Sequence, residues 1–222
     1  MPQKLTQFFS PTDLERISAA VKAAEGQTAG EIVPVVVESS DDYELALWRG
    51  GFALSALVWS SIVLAYLLTS VWLPFNLLHV LLLIFLAQGL GMLLTMIIPT
   101  VKRFFAGANT MQQRVEQQAQ KAFLTEEVFR TRERTGILIF LSLFERKVVV
   151  LGDAGINAKV AQAEWNEVVQ TIVTGMHAGQ PAEGLLAAIQ KCGELLQKQG
   201  VIRREDDADE LANTLRMKGG RA

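Results

Sequence analysis

The sequence predicts an α/β protein: a small mixed β-sheet flanked by helices and interrupted by a two-helix apolar hairpin. Three observations predict it. No Asp, Glu, Lys or Arg occurs from Gly50 to Val101, 52 of the 222 residues. A β-branched run, Glu31 to Glu38 (EIVPVVVE), precedes that stretch, and two further runs of strand length, Ile137 to Phe144 and Lys147 to Leu151, follow it. A lone strand is not stable, so the first run must pair with something beyond Val101.

Composition separates the insert from its surroundings. All 44 charged residues fall in the other 170, about 26% of them, close to an ordinary soluble domain. The net charge of −2 says nothing about partners, and no nucleic-acid ligand is expected. The N-terminal residues turn charged and helical too soon for a secretory signal, so the first segment to enter a membrane is internal. Cys192 is the only cysteine, which suits a reducing compartment and reads as a packed side chain on a helix.

The first helix is predicted over SPTDLERISAAVKAAEG. Ser10 is the cap, Pro11 lies in the first turn, Asp13 and Glu15 sit near the positive helix end, and Gly26 stops it. Leu14, Ile17, Val21 and Ala24 share its apolar face. In the strand that follows, Pro34 has no N–H to donate, which favours an edge position or a locally broken ladder.

Gly50 to Trp72 and Leu77 to Ile98 are each a little over 20 residues, and at about 1.5 Å per residue each can span the roughly 30 Å of a bilayer core. Pro74, in the short turn Leu73 to Asn76, breaks them, and Trp72 suits an interface. Arg49 precedes the pair, Lys102 and Arg103 follow it, and the turn is uncharged. The positive-inside rule then puts both ends in the cytoplasm. This predicts a multi-pass protein of a bacterial inner membrane with cytoplasmic termini. Small residues four apart, Ala56 with Ser60 and Ala87 with Gly91, allow close helix approach within the pair or against a second copy, so a homo-oligomer is possible. With His79 the one histidine of the hairpin core, no Asp, Glu, Lys or Arg there, and Gln88 able to bond between helices, the pair reads as an anchor rather than a conduction path.

After the hairpin, Met111, Val115, Ala119 and Ala122 line a Gln-rich helix with Asn109 or Thr110 as its cap. Helix is predicted to continue through FLTEEVFRTRERT, where Arg130, Arg132 and Arg134 alternate with Glu126, Glu127 and Glu133 on a solvated face. TGILIFLSLFERKVVVLGD then forms a hairpin turning at Glu145–Arg146; its unbroken apolar run implies burial on both faces and helices on each side. Two amphipathic helices follow. Asn157 to Met176 presents Val160, Ala163, Trp165, Val168, Val169 and Ile172, and Pro181 to Gln199 presents Leu185, Leu186, Ile189, Leu195 and Leu196; His177 falls in their connection. The predicted organisation is 1–48 and 102–200 for the two parts of one cytoplasmic domain, 49–101 for the membrane hairpin, and 201–222 for a charged tail with too little apolar surface to fold.

TAGEIVPVVVES, AFLTEEVFRTRERTGILIFLSLFERKVVVLGDAGI and the Trp-containing helix after them together resemble the TPM domain family. The resemblance covers nearly all of the chain outside the hairpin, and the central block is its specific part. It implies a small α/β domain with a mixed sheet between helices. Some members are described as phosphatases or bind divalent cations, and others assist membrane complexes. The commonest layout has a secretory signal and a domain outside the cytoplasm, whereas here a hairpin interrupts the domain after its first strand.

Candidate chemistry is sparse. LGDAGINAK offers backbone N–H groups at a helix start, with Asp153 and Gly155 as weak ion- or anion-site residues. Its spacing is not that of the phosphate loop, and Asp153 capping a turn with Gly155 at positive φ is the structural reading. Glu38, Asp41, Asp42 and Asp153 are the carboxylates nearest to strand ends and could together hold a divalent cation; otherwise no cofactor is expected. Cys192 is followed six positions later by Lys198 rather than Arg, no Arg-His-Gly occurs, and the one Asp-x-Asp, Asp207 to Asp209, lies in the polar tail. The expected function is binding of a membrane-associated protein partner in support of a membrane assembly. A divalent-metal-dependent phosphatase at the cytoplasmic membrane face is the alternative, and lipid binding through Arg49, Lys102, Arg103 and the arginine-rich helix a third possibility.

Overall fold

The computed structural model describes residues 8–68, 76–201, 203 and 210–219. Trp72, Pro74, Asp207 and Asp209, to which the sequence assigns roles, lie outside them. The chain divides into two compact units, one built from residues 1–41 and 112–222, the other from 42–111.

In the first unit, α1 (Pro11–Glu25) starts as its sequence requires. Ser10 Oγ accepts from the Asp13 N–H at 3.2 Å, and the Asp13 carboxylate accepts from the Ser10 N–H at 3.0 Å, a reciprocal capping box that satisfies two orphan donors. Strand β1 (Ile32–Val37) runs parallel to β2 (Ile137–Ser142), which turns through Leu143 to Arg146 into antiparallel β3 (Lys147–Gly152). Arg146 takes the left-handed conformation, φ 54°, in that turn.

A fourth strand, β4 (Arg216–Lys218), pairs parallel with Val35 to Val37 on the other side of β1, giving the order β3-β2-β1-β4. Two expectations are thereby corrected. Residues 216–218 belong to the sheet rather than to a mobile or weakly helical tail, and β1 is interior, so that of the two settings expected for Pro34 the edge is replaced by the other, a position where the β4 ladder is absent. The carbonyls of Glu31 and Val37 accept from the N–H groups of Ile137 and Leu143 on the β2 side, whereas the Glu38 N–H bonds Lys218 O at 3.2 Å. Amides alternate sides along a strand, so Pro34 lacks its donor on the β4 side. There β4 pairs only from Val35 onward, and no ladder bond is lost.

The alternation divides β1 and β2 between two cores. Val33, Val35, Val37, Leu138 and Phe140 face α5 (Ala108–Thr125) through its Val115, Ala119 and Ala122. Ile32, Val36, Ile137, Ile139 and Leu141 face a larger cluster that includes Phe9, Ile17 and Val21 together with residues of α7 (Gln162–His177) and α8 (Pro181–Lys198). Every residue of β1 and β2 is buried, as their unbroken apolar runs predict for a sheet covered on both faces.

The charge-dense stretch after α5 is not helical throughout. Helix α5 ends at Thr125, Glu127 and Arg134 take left-handed conformations (φ 55° and 57°), and only the single 3₁₀ turn Val128–Arg130 lies between. Val128 is fully buried while its charged neighbours stay on the surface, so tertiary burial of one side chain overrides helix propensity here. The predicted helix from Asn157 is likewise divided: α6 (Ala154–Asn157) is one turn, α7 begins only at Gln162, and Ala163 is exposed while Trp165, Val168 and Ile172 are buried.

In the second unit, α2 (Glu44–Leu68) and α3 (Leu77–Ile97) are long and apolar enough to cross a membrane, by length and composition, and their outward faces are apolar. Asn76 caps α3. The close approach uses Gly50, Gly51 and Ser55 of α2 with Ala87, Gly91 and Thr95 of α3, all buried, whereas Ala56 and Ser60 are exposed. A Cβ on Gly91 would sit 2.6 Å from Gly50 O and one on Gly50 1.9 Å from Thr95 Oγ1. The small-residue rule thus holds, with the α2 contact displaced towards its N-terminus. A short helix, α4 (Pro99–Ala106), follows, and α5 begins at Ala108 after Gly107 (φ 82°), ahead of the expected caps Asn109 and Thr110.

Candidate functional site

The carboxylates singled out in the sequence are not brought together. Glu38 follows the C-terminal end of β1. Asp153 follows β3, whose Gly152 pairs with Ile137 at the start of β2, opposite Ile32 at the start of β1. Six residues of strand, roughly 20 Å, therefore separate them. Asp41 pairs with Arg114, Nε to Oδ2 at 2.7 Å, and Asp42 belongs to the other unit. Among the described residues, no three His, Cys, Asp or Glu side chains are grouped so as to hold a metal ion.

Asp153 is 4% exposed and held on several sides. Its Oδ1 accepts from the Ala154 N–H at 2.7 Å as the cap of α6, its own N–H donates to Gly136 O at 2.8 Å, and its Oδ2 is 2.8 Å from Arg134 Nε. The amides that might have cradled an anion are in use: Gly155 N–H donates to Arg134 O, and those of Ile156 and Asn157 to Asp153 O. Gly155 does not have positive φ. It is required because a Cβ there would meet the carbonyl oxygens of Glu133 at 2.4 Å and Arg134 at 2.7 Å. The loop is thus a fastening between the segment before β2 and the end of β3. Asp153→Asn should cost less than about 1 kcal/mol, since it retains an acceptor and loses a pair to the half-exposed Arg134. Asp153→Ala should cost about 1–2 kcal/mol through the lost cap. Equal losses in urea denaturation would contradict the capping role.

At the opposite end of the sheet lies a buried polar cluster that sequence reasoning did not single out. Glu145, 5% exposed, accepts from the Ser40 N–H at 2.8 Å through Oε1 and from Ser142 Oγ through Oε2, and Ser40 Oγ donates to Ser142 Oγ at 2.9 Å. The signal available was Ser-x-x-Glu from Ser142 to Glu145, the spacing of a capping box. These bonds join the ends of β1 and β2 across the turn.

The third polar arrangement follows the outer flank of β1. Glu126, just beyond α5, receives Arg216 Nε at 2.7 Å on Oε2 and Lys218 Nζ at 2.6 Å on Oε1. Glu25 Oε1 accepts from the Ile32 N–H at 2.8 Å, doing for that amide what a longer neighbouring strand would do. Glu31 Oε1 accepts from the Glu210 N–H at 3.1 Å, and the Glu210 carboxylate from the Arg132 N–H at 3.0 Å. Glu25 and Glu31 are 4% and 7% exposed. A line of acidic side chains thus borders β1, and a basic strand is seated on part of it.

Burial raises the Glu126 carboxyl, but the Lys218 ammonium and Arg216 guanidinium outweigh it and hold the group below its ordinary 4.5. The fold therefore favours the ionised form. Its contribution is whole above about pH 4.5 and is lost as pH falls through the lower folded value. Wild type should exceed Glu126→Gln in stability by on the order of 1 kcal/mol at neutral pH, with the gap closing under acid. A gap independent of pH in urea titrations would refute this.

The fold defines a class: an α/β domain whose mixed four-stranded sheet lies between helices, carried with two candidate membrane helices in one chain. Residues 95–195 match the family model of the TPM domain, in line with the resemblance carried by the central block of the sequence. The match runs from the end of α3 into α8, so β1 and β4, which complete the sheet, and α1 lie outside it. A similar fold occurs in the NMR structure of the BA42 protein from the psychrophilic bacterium Bizionia argentinensis. It is 21% identical, with a TM-score of 0.57, over 95% of this chain and 96% of that one. No curated protein matches the sequence.

Proposed function

We propose that the chain is a multi-pass protein of a bacterial inner membrane with cytoplasmic N- and C-termini, whose TPM domain binds a membrane-associated protein partner and supports a membrane assembly. The observation that supports the topology in this reading is the parallel pairing of β1 with β2. These strands flank the two apolar helices in sequence, and one sheet cannot form across a bilayer, so both ends of the apolar pair must emerge on one side. Arg49, Lys102 and Arg103, at those ends, favour the cytoplasmic side. Aromatic side chains near the same ends support an interfacial position: Trp48, Phe52 and Phe104 are 50%, 58% and 78% exposed, and Arg49 donates to Phe105 O at 2.9 Å.

Orientation can be tested with introduced cysteines, because native Cys192 is fully buried and burial pushes its thiol up to about 12. It should stay unmodified in the folded chain. A membrane-impermeant maleimide applied to intact cells should label Leu77→Cys and spare Lys159→Cys until the cells are opened; the reverse pattern refutes the orientation. For partner binding, crosslinking followed by purification in detergent should recover a stoichiometric protein in repeated preparations. Its repeated absence would count against the reading.

A further inference from the structure

The strand that completes the sheet is short, basic and held largely by charge. Strand β4 contributes three residues, paired parallel to Val35–Val37, and parallel pairing is the weaker kind per residue. Its side chains alternate: Met217 packs against the larger core, while Arg216 and Lys218 converge on the single carboxylate of Glu126. All three residues are only partly buried. Beneath them the backbone groups of β1 form a strand-binding edge, along which Glu25, Glu31 and Glu126 place acidic side chains.

We propose that this flank of β1 is a docking groove for an extended segment of a partner protein bearing a basic–apolar–basic triplet, and that Arg216–Lys218 occupy it in cis as a displaceable stand-in. The inference rests on the partner-binding reading above and gives that partner a chemistry. Addition of a strand to a sheet edge supplies affinity through main-chain bonds and specificity through alternate side chains. Here the main-chain part is the ladder from Val35 to Glu38, and the specificity comes from one carboxylate able to receive two cations spaced two residues apart. A partner with the same triplet in a longer segment would also reach the part of β1 to which β4 does not pair, from Ile32 to Pro34. It would outcompete the cis strand by extending the ladder. Pro34 offers no donor there and the Ile32 N–H is already held by Glu25 Oε1, so the gain on that side comes from the carbonyls.

The test uses the full chain in detergent and a fluorescent peptide with the sequence of Glu210 to Gly219. Arg216→Glu with Lys218→Glu sets like charge against Glu126 and should expel the cis strand, leaving the groove intact. The double variant should then bind the peptide at least ten times more tightly than wild type, whose own strand competes. Adding Glu126→Gln should weaken that binding several-fold. Hydrogen exchange at the Glu38 amide, which donates to Lys218 O, should quicken in the double variant and slow again with peptide. Equal or absent peptide binding in a variant whose circular dichroism matches wild type overturns the proposal; if the double variant does not fold, Lys218→Glu alone provides the same comparison. Partner capture separates this proposal from the reading beneath it. More partner on the double variant than on wild type supports strand exchange, equal capture by both overturns it while leaving partner binding intact, and capture by neither overturns partner binding itself.

Discussion

Gly136→Ala should destabilise the α/β domain by about 3 kcal/mol, the upper end of ordinary overpacking, and lower its thermal midpoint by roughly 10 °C. Gly136 does not adopt a positive φ, so backbone conformation is not the reason. An added Cβ would stand 2.1 Å from the carbonyl oxygen of Val128 and 2.8 Å from its Cγ1. Neither atom can yield easily. Val128 is fully buried in the smaller core, and Gly136 leads directly into β2 while its carbonyl accepts from the Asp153 N–H. Moving either backbone by the ångström or so required would disturb the register of β2 or the fastening at Asp153. Gly89→Ala, inside α3 where an added Cβ meets nothing within 4 Å, is the steric control and should not destabilise. An unchanged midpoint for Gly136→Ala, read by near-ultraviolet circular dichroism, would refute the steric argument.

Phe140→Ala should cost about 3–5 kcal/mol, the range for deleting a buried ring. Phe140 is fully buried on the sheet face covered by α5. Its buried neighbours are Val33, Val35, Val37, Val115, Ala119, Ala122, Val128 and Leu138. These are mostly small or β-branched side chains with few rotamers to spare, so the space left by the ring could close only if α5 moved. Phe140→Leu refills most of the volume and should cost about 1–1.5 kcal/mol. A loss below about 1 kcal/mol for the alanine variant in urea denaturation would mean that α5 collapses onto the sheet. The larger core on the other face should tolerate single truncations no better, but its damage should spread to α7 and α8 rather than to α5.

Much of the fold was legible because it depends on local pattern. The cap of α1 was written in Ser10, Pro11 and Asp13, the hairpin of β2 and β3 in two apolar runs separated by Glu145–Arg146, and the burial of β2 in an unbroken stretch from Ile137. The small residues of α3 were legible too. Those of α2 were misplaced, because Ala56 and Ser60 have suitable spacing but only packing selects which face of an all-apolar helix meets its neighbour.

The candidate site was much less legible. Glu38 and Asp153 both border strands, yet reversal of direction between β2 and β3 sends them to opposite ends of the sheet. Glu145 looked like a turn residue, and its burial depends on Ser40, 105 residues away along the chain. Strand β4 was invisible because three residues with two charges carry no readable period; their strand conformation comes from the vacant side of β1 and from Glu126, 90 positions before Arg216.

By itself, the sequence determined which segments are apolar enough for a membrane, which runs form strands, where α1 begins, and that β1 must find partners beyond the hairpin. Those properties follow from composition and from periods of 2 and 3.6 residues, which neighbouring residues alone can express. Tertiary structure alone decided that β1 lies inside the sheet, that Gly155 serves close approach rather than positive φ, and that a basic strand closes the acidic flank of β1. Each of these depends on groups far apart in the chain, whose pairing is set by strand direction and by the need to satisfy buried backbone and charge.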